Sequence, residues 1–230
     1  DLNFKTLKTV RCTNPQCSGL KVGMIHRYCE KMKMMGIAKN TITKLFEANL
    51  IQCIGDLYRL TPDRIMALDG YKEKSAVNIY NTIQSSTKDV PLDKWMGAMP
   101  IKDVSAKTWR LVINAKFHGD EMMAVNKYKY HIENGTVDSF MMECIPDYVY
   151  GFSVNTYAMI KEGLTLYWDE IRDAIQFISF YVLSKPENIP TKGRVTLTGT
   201  RDKNLISVLT ARGYEVSDFS SKTIALVIPN

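Results

Sequence analysis

At 230 residues, with 45% hydrophobic and 23% charged residues, the chain has the composition of an ordinary globular protein, long enough for one large domain or two to three small ones. No apolar run reaches the roughly 20 residues needed to span a bilayer, and the apolar fraction is too high for a disordered chain. The net charge of +6 is unevenly placed: up to Phe117 there are 19 basic and 10 acidic residues, net +9, whereas from His118 onward there are 11 and 14, net −3. A first half that meets a polyanion and a second half that meets protein or solvent would have this asymmetry; a solubilising surface charge is the plain alternative.

The opening Asp-Leu-Asn-Phe-Lys has neither an initiator Met nor an apolar stretch, and reads as a cut end or an internal start, not a signal peptide. A cytoplasmic location, nucleoid-associated or in a host cell if the chain is viral, is expected. Thr9 to Gly19 follows, with Asn14-Pro15 making turn chemistry between Cys12 and Cys17. Five cysteines, an odd number, argue against a disulfide framework; Cys29, Cys53 and Cys144 fall in apolar or helical contexts and are expected in the core. The apolar spacing predicts helices over Met24–Met34 and Thr41–Ala48, the second with Ile42, Leu45 and Phe46 on one face. Thr61-Pro62-Asp63 is a helix start, since Thr caps and Pro is tolerated at the first helical position, and that helix runs to about Leu68. A turn at Asp69-Gly70-Tyr71-Lys72 leads into a helix from about Glu73 to Ile83.

The pattern then repeats. Pro91 to Met99 is short and helical, Pro100 interrupts, and Val104 to Phe117 continues; a weaker copy has Val137 to Cys144, a tract ending at Gly151, and a helix from about Ser153 to Lys161. A separate amphipathic helix is predicted over about Trp168–Leu183, before a Lys185–Pro190 linker. Strands at Arg194–Thr198, Tyr214–Val216 and Ile224–Ile228 around a helix at Lys203–Arg212 make the tail a βαββ unit. The predicted fold class is mainly α, a tandem helix-hairpin-helix domain with a small C-terminal α/β unit. The predicted domains are a zinc-finger-like segment over 1–23, a helical domain over 24–184 and the α/β unit over 190–230.

Helix, tight turn, helix units spaced by about 30 residues resemble the helix-hairpin-helix motif. Its physics is simple: a turn that tolerates tight backbone geometry lets the next helix present unpaired N–H groups and a positive dipole end to a phosphate oxygen, without reading base sequence. The candidate contacts are Gly36, Ile37, Ala38 and Lys39 in the first unit, Gly70, Tyr71, Lys72, Lys74 and Ser75 in the second, and Lys102 in the third. Ordinary αα-hairpins whose glycines only end helices are the alternative. The fourth unit has acidic Asp147 and no lysine, which favours packing over contact. The three tryptophans sit at helical positions and are expected in the core, and the three histidines show no triad spacing.

Arg11-Cys12-Thr13-Asn14-Pro15-Gln16-Cys17 resembles the second cysteine pair of the zinc module in bacterial-type NAD-dependent DNA ligases. Ile25-His26 with Met35-Gly36-Ile37, Asp56-Leu57-Tyr58-Arg59-Leu60, Leu68-Asp69-Gly70-Tyr71 and Glu73-Lys74-Ser75-Ala76 resemble the first two hairpins of that family's helix-hairpin-helix domain. Ala98 to Ala106 is less similar to the third, with Pro100 and Ser105 where glycines are usual. Gly193–Thr200, Gly213 and Ser221-Lys222-Thr223 resemble the start of the family's BRCT domain, without its closing strand and helix.

The resemblance implies a DNA-gripping portion of a ligase, natural subunit or fragment, that encircles nicked duplex DNA in replication and repair. It does not extend to the chemistry: the family attaches AMP to lysine in Lys-x-Asp-Gly, and Asp69-Gly70 here has Ala67 at that place. NAD would be bound by an adenylation domain absent from the chain, so the chain alone should be inactive and should partner that domain. Cys12 and Cys17 would be half of a four-ligand zinc site, completed by an upstream segment, another chain, or Cys29 and His26; lost zinc and two reduced thiols is the other reading. A stand-alone DNA-binding or scaffold protein built from the same modules is the alternative function.

Overall fold

A computed structural model describes the backbone of residues 2–6, 9–12, 14, 17–182, 193–197, 206, 209–210, 214–216 and 223–227. The chain divides into two compact units, Asp1–Leu183 and Ser184–Asn230. The described part is mainly helical, as expected.

The first unit opens with strands β1 (Leu2–Thr6) and β2 (Thr9–Cys12), paired antiparallel with Leu2 opposite Cys12 and Phe4 opposite Val10. Ten helices follow among the described residues: α1 (Ser18–Lys31), α2 (Lys39–Glu47), α3 (Ile54–Tyr58), α4 (Pro62–Met66), α5 (Glu73–Ser85), α6 (Leu92–Ala98), α7 (Ala106–Phe117), α8 (Glu121–Asn134), α9 (Val137–Cys144) and α10 (Val154–Ile175). The Thr61 start is borne out, since its hydroxyl accepts the Arg64 N–H at 3.4 Å and Pro62 is the first helical residue. Helix α1 begins six residues before the predicted Met24, because Gly19 and Gly23 sit on a helix held from its other face by Val22, Ile25, Tyr28 and Cys29. Helices α3 and α8 are additions to the predicted set. The signal for α8 is present in the sequence: Asp120 accepts the Met123 N–H at 2.9 Å, and Ala124, Val125, Tyr128, His131 and Ile132 make one buried stripe.

The two helices expected over Ser153–Lys161 and Trp168–Leu183 are one helix, α10, kinked at Tyr167 (φ −116°, ψ 17°) and ending at Ile175. Tertiary packing explains the joining. Gly163 lies against Ile101 so closely that a Cβ would stand 2.4 Å from Ile101 Cγ2, and this contact holds the glycine within the helix. After Ile175 the chain leaves the helix for a parallel bridge, Val90 to Phe180, with Val90 N–H donating to Ser179 O at 3.0 Å and Tyr181 N–H to Val90 O at 3.0 Å.

The core runs without a break from Val22 to Ile178, with Tyr28, Trp95, Trp109, Tyr128 and Phe140 fully buried. Edge-on ring contacts link Trp109 to Tyr128 (6.2 Å), Tyr128 to Phe140 (4.8 Å) and Phe140 to Trp168 (5.6 Å). All three tryptophans belong to this core, as expected. Cys29 and Cys144 are buried in it, and burial pushes each thiol up to about 12. Cys53 is half-buried at the start of α3.

The second unit contains a parallel three-stranded sheet in the order β4-β3-β5, from β3 (Gly193–Leu197), β4 (Tyr214–Val216) and β5 (Thr223–Val227). Val195 pairs with Val216 on one side and Leu197 with Val227 on the other. Of the helix expected over Lys203–Arg212, Ile206, Leu209 and Thr210 are helical and the rest lies outside the described residues, as do Thr198-Gly199-Thr200, Gly213 and Ser221-Lys222.

Candidate nucleic-acid interface

Four pairs of helices, α1/α2, α4/α5, α6/α7 and α9/α10, are joined by turns with one shared backbone feature. A residue in the left-handed region stands two positions before the N-cap of the second helix: Gly36 (φ 86°) before Ala38, Gly70 (φ 86°) before Lys72, Asp103 (φ 57°) before Ser105, and Gly151 (φ 83°) before Ser153. An apolar residue follows each one: Ile37, Tyr71, Val104 and Phe152. In three of them the following N–H closes the turn onto a carbonyl three residues back: Ile37 to Met34 (3.4 Å), Tyr71 to Leu68 (3.2 Å) and Phe152 to Val149 (3.0 Å). The third unit therefore departs from expectation in register. Its special residue is Asp103, not Pro100 or Ser105; Asp is among the few non-glycine residues that tolerate the left-handed region.

The sequence-nominated residues divide in two. Gly36, Ala38, Lys39, Gly70, Lys72, Lys74 and Lys102 are exposed. Ile37 is buried in the core, and the Tyr71 hydroxyl donates to Thr41 Oγ1 at 3.1 Å, tying the second turn to α2. Ser75 closes the α5 N-terminus on itself: its hydroxyl accepts the Lys72 N–H at 2.9 Å and donates to Lys72 O at 2.7 Å. These three shape the turns from behind.

Lys44 is a residue that sequence reasoning does not nominate. Its ammonium lies 5.6 Å from the Tyr71 ring centroid and donates to Asp69 O at 3.2 Å, so the first hairpin places a cation beside the second turn. Only the turn-to-α2 contact makes it visible, although Thr41 and Lys44 are three apart on one helix face. A groove beside the first turn, lined by Lys33, Met35 and Gly36, faces the polar side of α5 at Asn78, Asn81 and Thr82.

Other basic residues are committed to the fold. Arg59 pairs with Asp56 (3.3 Å) and with Asp173, and its pKa rises through the hydrogen bond to Asp173. Arg110 Nη2 lies 2.7 Å from buried Asp93, and Arg172 donates to Ile132 O and Gly135 O at 3.0 and 2.6 Å. Lys116 satisfies the end of α9 through Met142 O and Ile145 O at 3.0 and 3.3 Å. Lys39, Lys72 and Lys74 form no ion pair among the described residues, and Lys102 stands 3.9 Å from Asp103. The N-cap of helix α2 is Ala38, which has no side chain able to cap it, whereas α7 and α10 are capped by Ser105 and Ser153. A surface of unpaired lysines next to exposed turn backbone can hold an anion of extended shape.

Cys17 is half-buried at the start of α1, and the Cys12 side chain lies outside the described residues. Among the described residues no three His, Cys, Asp or Glu side chains gather as a metal site. Cys29 is fully buried in the helical core, where burial raises its thiol pKa. Among the described residues no helix is long and apolar enough to cross a membrane.

No family model matches the chain. It is 28% identical over 229 residues to a DNA ligase of Bacillus cytotoxicus, an alignment that covers 95% of this chain and 33% of that protein. The chain thus spans about one third of the length of the curated relative it matches. Nearly the whole of this chain is similar to a portion of a DNA ligase, and the ligase resemblance read from its residues is borne out.

Proposed function

We propose that this chain is the DNA-binding part of an NAD-dependent DNA ligase, a natural subunit or a portion of a longer chain, and that it grips nicked duplex without reading its sequence. The observation that carries this is the left-handed turn recurring in one register at four helix pairs, with exposed lysines at three of them. The first two turns would bring backbone N–H groups and lysines, and the third its Lys102, to phosphates of the minor-groove edge, so that the nick termini stay in line while a separate adenylation domain transfers AMP. NAD would bind to that domain, whose lysine motif is absent from this chain. Cys12 and Cys17 would contribute half of a structural zinc site completed from outside the described residues. The Ser184–Asn230 unit would be a partial BRCT-like domain. The setting would be cytoplasmic, in replication and repair.

The test is nick sealing with NAD on a nicked duplex, by this chain alone and then with a protein carrying Lys-x-Asp-Gly. Sealing only in the mixture supports the reading. Steeply salt-dependent binding to nicked DNA with no sealing in either mixture would favour a stand-alone DNA-binding or scaffold protein.

A further inference from the structure

Hairpin three is the one whose turn carries an acid, Asp103, in place of glycine, yet it borders a basic groove. The groove is lined on one side by Met99, Pro100, Asp103 and Ser105, and on the other by Arg27 and Lys31 of α1. Arg27 and Lys31 lie one helical turn apart and form no ion pair among the described residues. Like charges at that spacing repel along a helix, a small cost that a bound anion would relieve. Glu30, the acid between them in sequence, turns to His26 at 3.7 Å. Asp103, the one acid among the lining residues, has Lys102 at 3.9 Å, which leaves the groove positive. The start of α7 is closed by its own side chains: Ser105 Oγ accepts the Thr108 N–H at 3.4 Å, and Thr108 Oγ1 accepts the Ser105 N–H at 3.3 Å. An anion here would be met mainly by side chains.

We propose that Arg27 and Lys31 of the first hairpin complete the third, forming with its turn a composite subsite for a backbone phosphodiester of duplex DNA. This rests on the reading above that the chain grips nicked duplex, and it adds cations from another hairpin to Lys102, the one lysine that the sequence nominates in the third. The third turn shapes the groove, and α1 charges it.

The experiment is the equilibrium affinity of the full chain for a labelled nicked duplex over a range of salt concentrations. It compares the unaltered chain with the double variant Arg27→Gln/Lys31→Gln and with Lys127→Gln/Lys129→Gln on α8, which removes the same charge elsewhere. The subsite predicts that the α1 variant binds about tenfold more weakly near 0.1 M salt, with the log–log salt slope reduced by roughly 0.9 for each phosphate no longer neutralised. The α8 variant should bind within about twofold of the unaltered chain with its slope kept, since only counterions released from directly neutralised phosphates enter that slope. Equal weakening by both variants would mean a diffuse positive field and would overturn the subsite, as would an α1 variant that binds like the unaltered chain. In both cases binding by the unaltered chain keeps the DNA-gripping reading alive. If the unaltered chain does not bind nicked duplex, that reading falls and the subsite with it. Thermal melting checks each variant; should the double variant melt early, Lys31→Gln alone makes the same comparison, with a smaller loss of affinity and slope in the same direction.

Discussion

At the scale of single residues, the turns rest on backbone conformation more than on side-chain contacts. A Cβ on Gly36 would meet nothing within 4 Å, and one on Gly70 would approach only the Lys44 ammonium, at 3.6 Å. Space is available at both, so Gly36→Ala and Gly70→Ala should each destabilise the protein by about 1–2 kcal/mol through the left-handed φ alone. Asp103→Gly should lose no stability, because it relieves the same strain at the equivalent place. Chemical denaturation of the three variants checks this, and a Gly70→Ala protein as stable as the parent would show that the left-handed φ costs nothing there. The glycines and nearby lysines are legible as turn residues in the sequence. The equivalence of Asp103 is not, since an acid preceding Val-Ser has no sequence mark of a left-handed backbone.

At the scale of elements, close approach decides which helices pair. A Cβ on Gly97 would stand 2.3 Å from the Ala106 backbone nitrogen, so α6 and α7 touch through backbone. Gly97→Ala must push the two apart and should cost about 1–3 kcal/mol, read as a shift of the denaturation midpoint with unchanged slope. The short helix α3 is held differently. Asp56 accepts the Gln52 and Cys53 N–H groups at 2.8 and 3.2 Å, and Glu170 of α10 accepts the Ile54 N–H at 2.9 Å. Burial acts to raise the Asp56 pKa, but those N–H groups, the Cys53 thiol and Arg59 outweigh it and hold the carboxyl below its ordinary value. A carboxyl with a depressed folded pKa contributes stability above its unfolded value, about 3.9, and loses it as pH falls through the folded value. Asp56→Asn should therefore be less stable than the parent near neutrality, with the gap narrowing below about pH 4; thermal melts across that range measure it. For Glu170 burial prevails and raises the pKa.

At the scale of the whole molecule, charge and fold are allotted separately. The excess of positive charge up to Phe117 covers the first three turns, whereas the fourth turn, with Tyr150 and Val154 exposed, has no lysine of its own. Binding to nicked duplex should accordingly weaken linearly on a log–log salt plot, and a flat plot would exclude the phosphate-gripping role. The sequence by itself determined the mainly helical class, the order of the four hairpins, most of the tryptophan and cysteine core, and the likeness to a ligase, because apolar periodicity, caps and glycine punctuation are local signals. Only the tertiary structure decided that α10 is one kinked helix, that Asp103 is the counterpart of the turn glycines, that Ile37, Tyr71 and Ser75 support the turns from behind, and that Lys44, Arg27 and Lys31 stand beside turns other than their own. The Asp103 backbone and the Ser75 cap are local, but the joining of α10, the tie of Tyr71 to α2 and the places of Lys44, Arg27 and Lys31 depend on residues far apart in the chain coming close, and no local pattern of the sequence encodes that.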